Sequence, residues 1–104
     1  MVSQYASEVQ ELVSANAIMV FSKSWCPYCK MAKSTLDKES VEHTDLELDQ
    51  IETGEDIQRA IYELTNQRTV PAIFIGGKFV GGNSDLQMLK KNGELKNLIK
   101  AAFD

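Results

Sequence analysis

The chain has 104 residues, 43% hydrophobic and 25% charged, which predicts one globular domain with a core that needs no disulfide or metal staple. A formal net charge of −4 argues against nucleic-acid binding and against adhesion to anionic membranes. The longest apolar run, Ala17 to Phe21, is too short to cross a bilayer, and Met1 to Tyr5 has no signal-peptide pattern, so the expected compartment is the cytosol.

Helix and strand patterns alternate along the chain. Val9, Leu12 and Val13 fall at helical spacing within residues 3–15. Ala17 to Ser22 reads as a buried strand. Pro27 suits the first turn of a helix, where its missing N–H costs little; that helix is expected to run to about Glu39 and to face inward with Cys29, Ala32 and Leu36. Val41 to Asp49 reads as a second strand with Leu46 and Leu48 on one face. Asp56 to Asn66 reads as a helix with Ile57, Ile61 and Leu64 as its stripe. Ala72–Ile75, Gly76-Gly77 and Lys78–Val80 form a hairpin signal ended by Gly81-Gly82. Asn83 or Ser84 is expected to cap a helix running to Lys91. After the Asn92-Gly93 break, Leu95, Leu98, Ile99 and Phe103 mark a last helix. The order α-β-α-β-α-β-β-α-α predicts an α/β fold: a right-handed parallel crossover in front, antiparallel strands behind, and one four-stranded mixed sheet with helices on both faces.

The chain has only two cysteines, Cys26 and Cys29, and one histidine, His43. A secreted disulfide framework uses more cysteines at wider spacing, and three candidate ligands fall short of a closed structural zinc site. Cys26 follows the first strand closely and opens a helix, where free backbone N–H groups and the helix dipole favour a thiolate. Thiolates are the nucleophiles of disulfide exchange. Residues 22–34 carry Lys23, Lys30 and Lys33 and no acid, in an acidic chain. Cations oppose the dipole at a helix start, so Lys23 reads as the partner of an anion, and Lys30 and Lys33 as solvated surface groups. Cys29, three residues on and nearly on the same helical face, reads as the buried resolving thiol. A cysteine can be a small buried hydrophobe, but that account fits one cysteine, not two at this spacing at a strand–helix junction. His43 reads as a surface residue of the second strand, and Met31 and Met88 as packing residues.

Three segments carry a family likeness. Ser22-Lys23-Ser24-Trp25-Cys26-Pro27-Tyr28-Cys29 resembles the active site of the dithiol glutaredoxins. Gln67-Arg68-Thr69-Val70-Pro71 resembles that family's Thr-Val-Pro loop, and Gly81-Gly82-Asn83-Ser84-Asp85-Leu86 its glycine-rich loop. The likeness spans the whole chain and is greatest to the small cytosolic fungal and plant group. It implies a thioredoxin fold and a monomeric enzyme that reduces protein–glutathione mixed disulfides and protein disulfides. The implied partners are glutathione as co-substrate and glutathionylated or disulfide-containing proteins, with no permanently bound cofactor and no metal. The likeness also implies roles: Cys26 as nucleophile and Cys29 as resolving thiol; Lys23, Gln58 and Arg68 at the glycyl carboxylate; Thr69 and Val70 along the cysteinyl backbone, beside a cis Pro71; Gly82, Ser84 and Asp85 at the γ-glutamyl end; and Tyr28 as a wall. Trp25 departs from the commoner Tyr, Thr or Phe and bears on substrate preference.

Two rival readings differ in testable ways. A thioredoxin-like reductase would carry Trp-Cys-Gly-Pro-Cys, whereas here Pro27 follows the nucleophile directly. A carrier of a glutathione-ligated [2Fe-2S] cluster would be a coloured dimer, and in this family proline after the nucleophile goes with colourless monomers.

Overall fold

The computed structural model describes residues 3–104. The Ser3 hydroxyl accepts the Ala6 N–H at 3.1 Å and starts α1, Gln4–Ala15. Then follow β1 (Ile18–Ser22), α2 (Pro27–Lys38), β2 (Thr44–Glu47), a 3₁₀ turn (Leu48–Gln50), α3 (Gly54–Thr65), β3 (Ala72–Ile75), β4 (Lys78–Gly81), α4 (Asn83–Lys91) and α5 (Glu94–Phe103). The expected element order is the observed one.

The sheet order is β2-β1-β3-β4. β1 runs parallel to β2 with Ser22 opposite Glu47, and antiparallel to β3 with Phe21 opposite Ala72. β3 and β4 pair antiparallel, with Ile73 opposite Gly81. Gly76 and Gly77 join them at φ of 62° and 79°, the left-handed pair that a tight hairpin turn requires. Because β1 is central and covered on both sides, all five of its residues are buried, which is why it reads as an unbroken apolar run. Met19, Phe21, Ala72 and Phe74 face α1 and α3; Ile18, Val20, Ile73 and Ile75 face α2, α4 and α5. Fully burying one such large side chain stabilises the fold by about 1.5–3 kcal/mol.

Several local expectations need correction. The second strand stops at Glu47, and Leu48 enters the core from the 3₁₀ turn instead. The α3 stripe is Ile57, Ala60 and Ile61; Leu64 lies in the last turn, outside that cluster and exposed, as does Phe103 at the end of α5. Met31 and Met88 are not packing residues but surface ones, 51% and 64% exposed. Neither Asn83 nor Ser84 caps α4. Gly82 does, its N–H donated to Asp85 Oδ2 at 3.0 Å. Lys33 is no solvated group, because it pairs with Glu47 across the α2–β2 contact.

His43 precedes β2 and is clamped rather than free. Its Nε2 lies 2.7 Å from Asp37 Oδ1 at the end of α2, and its Nδ1 lies 2.6 Å from Asp45 Oδ1 on β2. Burial works against its charge, but the bonds to Asp37 and then Asp45 outweigh that and raise its pKa above the ordinary 6.5. A raised folded-state pKa means stabilisation that is complete below the ordinary value and lost as pH climbs through the folded one. His43→Asn is therefore expected to cost on the order of 1 kcal/mol below pH of about 6.5 and progressively less at higher pH. Urea denaturation of both proteins across that range checks it; a penalty that grows with pH would contradict the clamp.

Candidate active site

The turn that carries the first cysteine is fixed at both ends. The Cys26 N–H donates to the Lys23 carbonyl at 3.1 Å, closing a four-residue turn directly after β1. At the tip of that turn the Ser24 N–H donates to Asp49 Oδ1 at 2.9 Å, and its hydroxyl donates to Asp49 Oδ2. Those two donors, the hydroxyl first, hold the Asp49 carboxyl below the usual carboxylate range. The truncation of β2 thus has a purpose: the 3₁₀ turn swings Asp49 under the Ser24 amide.

Cys26 is the N-cap of α2, in extended backbone conformation, with Pro27 at the first helical position. Its Sγ accepts the Cys29 N–H at 3.2 Å and lies 3.8 Å from the Val70 carbonyl oxygen, to which the thiol form donates. A backbone N–H aimed at sulfur bonds more strongly to a thiolate than to a thiol. Cys26 is 5% exposed, and Cys29 is fully enclosed behind it. Burial, then the bond with Cys26, pushes the Cys29 thiol up to about 11, against smaller opposing effects of the Lys23 backbone and the Ser22 hydroxyl.

Two further segments converge on this sulfur. The loop before β3 is braced by Gln67 Nε2 donating to the Pro71 carbonyl and Gln58 Nε2 donating to the Arg68 carbonyl, both at 2.9 Å. Arg68 donates to the Tyr62 hydroxyl at 2.9 Å and lies 4.6 Å above its ring centroid. The Val70–Pro71 bond is cis. After β4, Gly81 adopts a φ of 126°, and a Cβ there would lie 2.2 Å from Asp85 Oδ2, so both conformation and space demand glycine.

Together these segments enclose a groove of about 810 Å³. Lys23, Cys26, Tyr28, Gln58, Arg68, Thr69, Val70, Pro71, Gly82, Ser84 and Asp85 all line it. Of the residues singled out from sequence, only Cys29 lies beneath the surface instead. Trp25, Pro27, Gln67 and Asn83 also line the groove without having been assigned to it. Trp25 is 65% exposed, and Lys23 Nζ lies 5.8 Å from its ring centroid. Gln67 and Asn83 could have been found from their places inside the Thr-Val-Pro segment and the glycine-rich loop.

A cysteine sulfur capping a helix, with a second thiol enclosed behind it on a βαβ-plus-hairpin sheet, is the arrangement of a thiol–disulfide oxidoreductase of thioredoxin fold. Comparison with known proteins narrows this. The glutaredoxin family model matches residues 18–80. The chain is 50% identical over 91 residues to glutaredoxin-2 of Schizosaccharomyces pombe, covering 88% of this chain and 83% of the other. It is 47% identical over 105 residues to glutaredoxin-1 of Saccharomyces cerevisiae, covering 96% of each. Among solved structures, a buckwheat glutaredoxin–glutathione complex superposes with a TM-score of 0.93 at 37% identity, covering 94% of this chain and 89% of that one. The chain belongs to the glutaredoxin family and is an oxidoreductase.

The two thiols are expected to differ sharply towards alkylation. At neutral pH iodoacetamide should modify reduced native protein once, at Cys26, because Cys29 is enclosed and its thiol pushed up to about 11. Intact-mass measurement followed by peptide mapping checks this. Equal labelling of both cysteines would refute the assignment of roles.

Proposed function

We propose that this enzyme reduces protein–glutathione mixed disulfides and protein disulfides, with glutathione as its electron donor. The observation that carries the reading is the Cys26 sulfur, set on the floor of the groove 3.2 Å from the Cys29 N–H, with Cys29 enclosed behind it. In the first branch the Cys26 thiolate attacks the glutathione sulfur of a mixed disulfide, and the protein leaves as a thiol. A second glutathione attacks the sulfur held on Cys26, releasing oxidised glutathione. In the second branch Cys26 attacks a protein disulfide, Cys29 displaces the substrate from Cys26, and two glutathiones reopen the Cys26–Cys29 bridge.

The groove suits a ligand with a carboxylate at each end and an ammonium at one. Lys23 and Arg68 supply cations to its lining and Asp85 an acid, beside Gly82. In this reading Lys23, Gln58 and Arg68 take the glycyl carboxylate, and Thr69 and Val70 run beside the cysteinyl backbone as an added strand does. The first turn of α4, through Ser84, takes the γ-glutamyl carboxylate at its positive end. Asp85 takes the ammonium with the oxygen that does not hold Gly82, and Tyr28 forms a wall. The buckwheat relative, solved as a glutathione complex at 37% identity, supports this reading. We read the enzyme as a cytosolic monomer without a permanent cofactor; a coloured, glutathione-requiring dimer on anaerobic purification would overturn that part, as would organellar enrichment on cell fractionation.

The two branches separate the cysteines. Cys26→Ser is expected to abolish both. Cys29→Ser should retain, or raise, turnover of a small glutathione mixed disulfide while losing most reduction of protein disulfides. Steady-state assays on both substrates at matched glutathione check it, and a Cys29→Ser enzyme dead on the glutathione substrate would sink the mechanism.

The γ-glutamyl end has its own test. Asp85→Ala would also strip the N–H partner of Gly82, so Asp85→Asn, which keeps an acceptor, is the cleaner variant. It is expected to raise KM for glutathione by about three- to tenfold with little change in kcat. An unchanged KM would refute that assignment.

A further inference from the structure

Lys23 and Trp25 line the groove, and Ser24 between them does not. The bond from the Cys26 N–H to the Lys23 carbonyl closes this turn at its base. Its tip is held by Asp49, whose two oxygens accept the Ser24 N–H at 2.9 Å and the Ser24 hydroxyl. Both residues are exposed. Exposed hydrogen bonds add little to stability, because water competes for each partner. Two of them between one carboxylate and one residue do fix orientation.

Asp49 itself is presented from a rigid ledge. Glu47 binds Lys33 of α2, and Leu48 is buried in the core beneath α1 and α3. Gly54, the first residue of α3, packs so closely on this turn that a Cβ there would lie 1.8 Å from the Leu48 carbonyl oxygen. Three consecutive residues, Glu47 to Asp49, are thus tied to α2, to the core and to the turn before Cys26.

Beside Asp49 lies a second cavity of about 360 Å³. Lys23, Trp25 and Gln58 line this cavity and the groove alike, so they form the partition between the two. Asp49 stands on the far side of that partition from any ligand in the groove. With both oxygens engaged by Ser24, its carboxylate is also a weaker competitor for the Lys23 ammonium, which lines the same cavity.

We propose that Asp49 is a positioning residue for glutathione: acting through Ser24, it sets the Lys23–Trp25 wall of the groove and so governs glutathione affinity without touching the ligand. This role rests on the assignment of Lys23 to the glycyl carboxylate. The helix cap does not depend on the clamp, because the Cys29 N–H reaches the Cys26 sulfur from within α2. Loss of the clamp is therefore expected to weaken binding and to spare the reacting sulfur.

Steady-state kinetics on a small glutathione mixed disulfide test it, with the pH profile of Cys26 alkylation alongside. Asp49→Ala is expected to raise KM for glutathione about fivefold, to change kcat by less than about twofold, and to leave the alkylation midpoint where it was. Asp49→Asn offers an oxygen to the Ser24 N–H and an amide to its hydroxyl oxygen, and should recover most of the affinity. Ser24→Ala keeps the N–H bond and should raise KM only about twofold; added to Asp49→Ala it should do nothing more, since the hydroxyl then has no partner to lose. A KM unchanged in Asp49→Ala but raised in Lys23→Ala would overturn the role of Asp49 alone. A KM unchanged in Lys23→Ala would overturn the glycyl assignment first. A KM lowered in both Asp49→Ala and Asp49→Asn would mean that the carboxylate competes with glutathione by charge, and a loss confined to kcat would mean that it acts on the chemistry; either result would overturn the proposed role.

Discussion

The Cys26 sulfur takes the place that a serine hydroxyl or an aspartate carboxylate usually takes at the head of a helix. It receives the Cys29 N–H at 3.2 Å, so the atom that we propose reacts is also the atom that starts α2. This ties chemistry to folding. The residue must leave β1 in an extended conformation, must be followed by a residue that tolerates the first helical turn, and must keep its sulfur pointed back along the helix axis. Pro27 meets the second demand, and the Ser24–Asp49 clamp meets the first by fixing the preceding turn.

Two strand registers then bring distant segments to that sulfur. Phe21 opposite Ala72 puts the end of β1 beside the start of β3, so the Arg68–Pro71 loop comes down next to Cys26, and Val70 reaches its sulfur. Ile73 opposite Gly81 carries Gly82 to the same edge, close to Gln67 and the Pro71 carbonyl. Residues near 26, 70 and 82 meet because the sheet order is β2-β1-β3-β4. A one-residue slip in either pairing would exchange the residues packed against α1 and α3 with those packed against α2, α4 and α5, so the two cores that stabilise the sheet also hold the groove in place.

What was legible in the sequence was mostly local. The apolar run of β1, the Gly76-Gly77 turn and the proline after Cys26 each state their structure within a few residues. The groove was legible because its three segments carry recognisable motifs. What escaped has its cause elsewhere in the chain. β2 stops early because Asp49 serves a turn 25 residues away. Lys33 looked like a solvated cation because Glu47, its partner, is distant in sequence. His43 looked like a surface residue because nothing local shows that Asp37 and Asp45 will flank it. Met31 and Met88 fit a helical apolar pattern, yet both side chains lie exposed among the described residues.

Burial sets the two thiols apart. Both sit on the first turn of one helix, yet the groove reaches only Cys26, and the core closes over Cys29. Enclosure shields Cys29 from stray alkylation and oxidation, and in the proposed dithiol branch it makes the attack intramolecular, with Cys26 within reach. The same enclosure opposes the thiolate that this attack requires. A fully apolar wall behind Cys29 would make that opposition complete. The wall is instead interrupted by Ser22, Glu47 and Lys33, the polar break in a contact otherwise built from Ile18, Val20, Ala32 and Leu36. An interior site tolerates such groups when they are paired, and here the Lys33–Glu47 ion pair ties α2 to β2 while the Ser22 hydroxyl donates to the Lys23 carbonyl.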